Sequence, residues 1–266
     1  MKHITLNGKN IETTAMTYAS LKEKEGIHAN HLIINGHSQP FDLSITSGDS
    51  VLMIDNQAPL SSELTRTLYD ARYGVEIMDK LQASSVAICG LGGLGSVIAI
   101  ALARVGVGKL LLIDYDIVDA TNLARQQYTF NDIGQYKTVA LKKQIEQLST
   151  LTTVEIATTK LTEENIPSLL KGYPIICEAL DKPEMKAILV NMVLSHLPES
   201  IIVSGSGMAG FGDGNLIQSK KLFSRLYVVG DGISEGEDGI GLMAPRVGLC
   251  AHAQATQTMR LILNEL

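Results

Sequence analysis

The stretch Val86–Arg125 restricts the fold of this chain more than any other. It opens with the apolar run Val86-Ala87-Ile88-Cys89 and passes through Gly90-Leu91-Gly92-Gly93-Leu94-Gly95. A helical-looking apolar segment follows, from Ser96 to Val105, and Gly106 and Gly108 stop it. A second buried-strand run, Leu110 to Ile113, ends in Asp114. Strand, glycine loop, helix and strand make a βαβ unit. Glycines between strand and helix let the backbone approach a ligand, and the helix N-terminus offers free N–H groups and a partial positive charge. Asp114 stands 19 residues after Gly95, near the roughly 20 at which a dinucleotide fold places a ribose-binding acid. A plain turn accounts for the glycines alone, but not for their place between a strand and a helix.

That half of the stretch favours NAD. The second half, Asp116-Ile117-Val118-Asp119-Ala120-Thr121-Asn122-Leu123-Ala124-Arg125-Gln126, argues for a phosphate instead. An arginine held near a nucleotide offers a planar fork of donors to phosphate oxygens. Hydride transfer has no special need of it, whereas a site that moves an AMP unit does. A helix start with a surface arginine explains Thr121 as a cap, but not the whole string.

The glycine loop, Asp114-Tyr115-Asp116 and Thr121-Asn122-Leu123-Ala124-Arg125-Gln126 together resemble the ThiF/MoeB/HesA family, prokaryotic relatives of the ubiquitin-activating enzymes. Gly134-Gln135-Tyr136-Lys137 resembles that family's Gly-x-x-Lys segment. Cys177-Glu178-Ala179-Leu180-Asp181 resembles the strand ending in its Mg-binding aspartate. Met243-Ala244-Pro245-Arg246-Val247-Gly248 resembles its C-terminal end. The resemblance covers about residues 62–266. It implies ATP on Gly90, Gly92, Gly93, Gly95, Asp114, Asn122, Arg125 and Lys137, with Asp114 on the ribose and Mg²⁺ on Asp181. Arg125, Lys137 and Asp181 would neutralise charge during transfer, while Asp116 caps or braces the loop. An arginine ahead of the glycine loop, Arg66 or Arg72, would reach the phosphates of the neighbouring protomer of a homodimer; Arg72 is taken as the site residue, though spacing does not decide between the two.

Three cysteines, Cys89, Cys177 and Cys250, form no Cys-x-x-Cys pair, so no zinc is expected. All three read as buried packing. No cysteine lies between Lys182 and Leu249, which leaves adenylation rather than a covalent carrier intermediate as the implied activity. The chain has 266 residues, 45% of them hydrophobic, enough for one large α/β domain and a small one. Net charge is −6 without a basic stripe, which argues against nucleic acid, including a tRNA substrate. Met1-Lys2-His3-Ile4-Thr5 shows no signal-peptide core, and the longest strongly apolar helical run, Val97 to Ala103, is too short to span a bilayer. The chain reads as cytoplasmic.

Residues 1–58 read as a separate unit. Asn7-Gly8-Lys9-Asn10 between two short strands signals a hairpin. Tyr18 to Glu25 has helical spacing, and His31–Ile34 and Val51–Ile54 read as strands after it. This order resembles the β-grasp fold of the ThiS sulfur carriers. A working carrier ends in a free Gly-Gly carboxylate, whereas here the chain runs on through Asp55-Asn56-Gln57-Ala58-Pro59-Leu60. A docking or dimer-stabilising role is expected.

The whole is therefore expected as a Rossmann-like doubly wound α/β sheet binding ATP, residues 59–266, preceded by a small ubiquitin-like α+β domain, residues 1–58. Ser61 to Leu81 reads as one linking helix. Further on, strands are expected at Ile201–Gly205, near Leu216–Gln218 and at Leu226–Val229, with a loop over Asp231–Gly241. The implied function is ATP- and Mg-dependent adenylation of the C-terminal carboxylate of a ThiS-type sulfur carrier of thiamine thiazole synthesis, releasing pyrophosphate. A MoaD-like carrier, a peptide tail and a non-catalytic nucleotide-binding scaffold are the alternatives.

Overall fold

The computed structural model describes residues 1–57, 60–236 and 241–265. They divide into two compact units, Met1–Asp79 and Lys80–Leu266. The expected boundary after residue 58 and part of the expected 231–241 loop fall outside the described residues.

In the first unit, β1 (Lys2–Leu6) and β2 (Lys9–Thr13) form a hairpin. Its turn residues, Asn7 and Gly8, both have positive φ, as the tightest hairpin turns require. Helix α1 (Tyr18–Lys24) starts in a capping box between Thr17 and Ser20. After it come β3 (His31–Ile34), β4 (His37–Ser38) and β5 (Ser50–Ile54). Sheet order is β2-β1-β5-β3-β4, with β1 and β5 parallel, the β-grasp arrangement. Period-two apolar positions turn Ile4, Leu6, Val51 and Met53 onto Tyr18 and Leu21 of α1 in one core. The expected single helix over 61–81 is instead two, α2 (Ser62–Tyr73) and α3 (Val75–Ala83). Gly74 at φ +92° breaks it. Arg66 ties the pieces by pairing with Asp70 and Asp79.

The second unit alternates β6 (Ser85–Cys89), α4 (Gly93–Arg104), β7 (Lys109–Ile113), α5 (Lys137–Leu148), β8 (Thr153–Ala157), α6 (Ile166–Leu170), β9 (Ile175–Glu178), α7 (Pro183–His196) and β10 (Ile201–Gly205). It closes with β11 (Gln218–Phe223), β12 (Leu226–Gly230) and α8 (Ala244–Leu263). The sheet order is β11-β12-β10-β9-β6-β7-β8, and every neighbouring pair is parallel except β11–β12. Ala87, Cys89, Ile176 and Ile202 face the α7 side with Leu189 and Val193. Their neighbours in sequence face α4 and α8, which pack on each other. Strands buried on both faces read as unbroken apolar runs, so they stand out in the sequence. From β6 the chain winds out to β7 and β8, then returns to β9 on the other side. The crevice beyond β6 and β9 is thus the topological switch point, where doubly wound sheets bind ligands.

Two local expectations are corrected. Helix α4 begins at Gly93, inside the glycine loop, rather than at Ser96. Gly214–Leu216 is a 3-10 turn, and the strand expected near Leu216 starts at Gln218. That strand is an edge exposed along its whole length, so no burial pattern marks it. Among the described residues no helix is long and apolar enough to cross a membrane.

Candidate functional site

The site grows from the glycine loop. Gly90 has φ +90°, and a Cβ there would lie 2.6 Å from the carbonyl oxygen of Ala179. A Cβ on Gly95 would lie 1.8 Å from the Gly90 oxygen. Both glycines are demanded by backbone packing. Gly92 differs: its nearest neighbour would be Gln126 Nε2 at 3.8 Å, so the space beside it is open. Gly92 is also the N-cap of α4 and contributes no side-chain cap. The first-turn N–H groups of a nearly apolar helix therefore face the open side, the arrangement that binds phosphate.

Asp114, at the end of β7, turns back on this loop. Its Oδ2 accepts from Leu91 N–H at 2.7 Å and its Oδ1 from Asp116 N–H at 2.8 Å. Burial lifts its pKa above the ordinary carboxylate value, against the pull of those N–H groups and of Lys137. The acid expected on a ribose thus also braces the loop, and each oxygen retains a second lone pair. Tyr128, buried, closes the same loop by donating to the Leu91 carbonyl at 2.8 Å.

Between β7 and α5 a 3-10 turn, Ala120–Ala124, lays the next residues over α4. Its cap is Asp119, not Thr121. Asn122 completes the box: its Oδ1 accepts from Asp119 N–H at 3.1 Å, which leaves its N–H₂ for a ligand. Arg125 lies against the start of α4, since a Cβ on Gly93 would meet the Arg125 carbonyl oxygen at 3.4 Å and its Cγ at 3.6 Å. Gln126 is buried and its Oε1 has no partner among the described residues. Lys137, first residue of α5, is only 6% exposed, and its Nζ donates to Asp116 Oδ2 at 2.8 Å. Asp116 is therefore the group that holds Lys137.

Asp181 stands on the turn between β9 and α7, exposed, with no hydrogen-bond donor on its carboxylate among the described residues. The same turn seats on the glycine loop: Ala179 N–H donates to Cys89 O at 2.9 Å. No cluster of three potential metal-ligating side chains occurs among the described residues. One unengaged carboxylate suits magnesium, which takes one or two protein carboxylates and completes its shell with phosphate oxygens and water. An uncapped helix start and an orphaned buried Gln126 oxygen likewise fit a nucleotide.

Contacts within the second unit thus tie together Gly90, Gly92, Gly93, Gly95, Asp114, Asn122, Arg125 and Lys137. Arg72 belongs to the first unit, exposed at the end of α2, while Arg66 is engaged by two aspartates. The three thiols are all free and buried. Gln126 and Tyr128 are site residues that sequence reasoning left without a role, and Asp116, expected to cap or brace the loop, holds Lys137. For Gln126 the available signal was its place directly after Arg125.

The ThiF family model matches residues 64–265, and the model of ThiS-like ubiquitin matches residues 1–56. The chain is 31% identical over 195 residues to an adenylyltransferase and sulfurtransferase of Candida albicans, UBA4, covering 71% of this chain and 44% of that protein. It is 35% identical over 109 residues to the sulfur carrier protein adenylyltransferase of Thermus thermophilus, covering 41% of this chain and 40% of the other. The chain spans less than half the length of these relatives. In fold it is similar to the ATP complex of the Escherichia coli tRNA N6-threonylcarbamoyladenosine dehydratase, with TM-score 0.68 and 21% identity, covering 74% of this chain and 93% of that one.

Proposed function

The chain belongs to the ThiF family, and from that premise we propose that it adenylates the C-terminal carboxylate of a small ubiquitin-like sulfur carrier. A carboxylate oxygen of the carrier attacks the α-phosphorus of ATP. The bond from the α-phosphorus to the bridging oxygen breaks, its electron pair leaves on pyrophosphate, and an acyl-adenylate remains. Such a step asks a protein for position and positive charge rather than for a nucleophile. Gly92 and the N–H groups opening α4 cradle phosphate oxygens. Arg125 supplies a fork of donors, and Lys137 swings or shares its ammonium from Asp116. Asp114 accepts from ribose hydroxyls through its remaining lone pairs, and the Gln126 oxygen takes a hydroxyl or amino donor of the nucleotide. Asp181 would hold Mg²⁺, which when bound screens the crowded phosphate charge. Arg72, the exposed one of the two candidate arginines, is assigned to the neighbouring protomer's phosphates in a homodimer.

One observation carries this reading: the Arg125–Gln126 segment lies on the uncapped start of α4, at Gly93 and Gly92. The ThiS-like first unit inclines the assignment to a ThiS-type carrier of thiamine thiazole synthesis over a MoaD-like one. ATP–pyrophosphate exchange with a panel of purified carriers ending in Gly-Gly tests it. Exchange is expected with ThiS-type carriers. Exchange with MoaD-like carriers alone would reassign the carrier, and tight NAD binding without ATP binding would overturn the activity itself.

A further inference from the structure

The second unit contains a fully buried carboxylate that the proposed reaction does not use. Glu178 ends β9, the central strand of the sheet, and has no exposed surface. Its Oε2 accepts from Lys186 Nζ on α7 and from Ser204 Oγ on β10, each at 2.5 Å. Its Oε1 accepts from the backbone N–H of Leu180 at 2.7 Å. Lys186 makes a second bond, to the Gly205 carbonyl at the end of β10, at 2.7 Å.

A buried ion pair is weak evidence for stability, because desolvation of both charges offsets most of their attraction, and apolar residues of the same volume serve as well. Its chief distinction here is position. Glu178 and Lys186 bracket the turn 179–182, whose one carboxylate is the exposed Asp181. The pair therefore grips both ends of that turn, and the Leu180 N–H fixes its middle. The same turn rests on Gly90, where no side chain fits between them. One carboxylate, three residues before the candidate metal ligand, joins strand β9, helix α7 and strand β10, and the turn that follows it rests on the glycine loop through the Ala179 backbone.

We propose that the Glu178–Lys186–Ser204 cluster is a positioning device that sets the Asp181 carboxylate toward the metal–nucleotide complex. Glu178 and Lys186 are positioning residues, since neither is placed on substrate or metal. The inference rests on the adenylation reading for the identity of what Asp181 meets, but the pinning of the turn is separable from it.

The test uses the full chain with Mn²⁺ and ATP, read by electron paramagnetic resonance, together with amide hydrogen exchange at Leu180. Lys186→Met is expected to weaken Mn²⁺ binding to the ATP-bound protein on the order of 10–100-fold, the usual effect of removing a partner behind a metal ligand. ATP binding in the presence of EDTA is expected to change less than about twofold, as its phosphate donors lie elsewhere. Leu180 exchange should quicken, and Lys186→Arg should restore both readouts. Folded Lys186→Met with wild-type Mn²⁺ affinity overturns the proposal. Should Lys186→Met fail to fold, Ser204→Ala removes one donor and leaves the ion pair; unchanged Mn²⁺ affinity and unchanged Leu180 exchange there overturn it equally. If the unaltered chain binds no Mn²⁺–ATP, the adenylation reading fails, and Leu180 exchange alone decides: protection that survives Lys186→Met refutes the pinning.

Discussion

At the scale of single residues, charge held in reserve is the main theme. Lys137 is nearly buried yet paired with a half-exposed Asp116, so a phosphate can compete for it. Lys137→Ala and Asp181→Ala are each expected to lower pyrophosphate exchange on the order of 10²–10³-fold, as loss of one preorganised charge does, with native circular dichroism. The thiols are the opposite case. Burial pushes Cys177 and Cys250 up to about 12 and Cys89 well above its ordinary value. A raised thiol pKa means little thiolate at pH 8. Ellman's reagent should therefore find no reactive thiol in the native chain at that pH, and three after unfolding. Rapid native labelling would contradict it. Asp114 was legible from its distance to Gly95, a local spacing. The pairing of Asp116 with Lys137 was not, because that partner lies 21 residues on and is chosen by closure of the whole loop. Nor was the isolation of the Gln126 oxygen, which depends on what burial excludes.

At the scale of elements, the glycines separate structure from binding. Gly95→Ala drives a methyl into the Gly90 carbonyl, which is backbone and cannot yield; the expected result is a chain that fails to fold or melts far lower. Gly92→Ala meets open space, so its melt should stay near wild type while calorimetry shows weakened ATP binding. Equal effects on both properties would refute this division. Further along, Arg246 at the start of α8 donates to Asp231 and to the Asp213 carbonyl. Burial alone would raise the Asp231 pKa, but the N–H groups of Ser234 and Ile233, the Ser234 hydroxyl and Arg246 hold it well below the carboxylate range. A depressed folded pKa gives stability that is present above the unfolded value, about 3.9, and is lost as pH falls below it. Asp231→Asn leaves a buried arginine unpaired, at a cost of about 3–5 kcal/mol near neutral pH. Urea melts should show the two proteins converging below about pH 4. The interior strands were readable as apolar runs, while β11 was not, since an edge strand wet on both faces carries no pattern. Helix α4 starts three residues early because glycines that look like a loop serve as its first turn.

At the scale of the whole molecule, two units of different architecture share one chain. The first has its own core, from Ile4 to Met53, and no free Gly-Gly end there for a nucleotide to modify. After incubation with ATP and a carrier, mass spectrometry should find AMP on the carrier and neither AMP nor sulfur within residues 1–60. Modification there would make this unit a substrate. Strands β1, β2, β3 and β5 and the hairpin turn were visible in the sequence; the two-residue β4 was not, nor was Gly74's break between α2 and α3, because a glycine inside a helical pattern is often tolerated. The strand order of the second unit carries a consequence for how the chain comes off the ribosome. The β6–β9 ladder pairs Val86 with Ile175, so β6, which β7 pairs early on one side, has no partner on its other side until most of the chain exists. Closing so long a span precedes any reward from the contacts it makes. The first unit, complete within its own short span, is free to fold while β6, α4 and β7 wait with their apolar faces uncovered. That waiting interval is the time in a newborn chain's life when it is most exposed to aggregation and most in need of a chaperone.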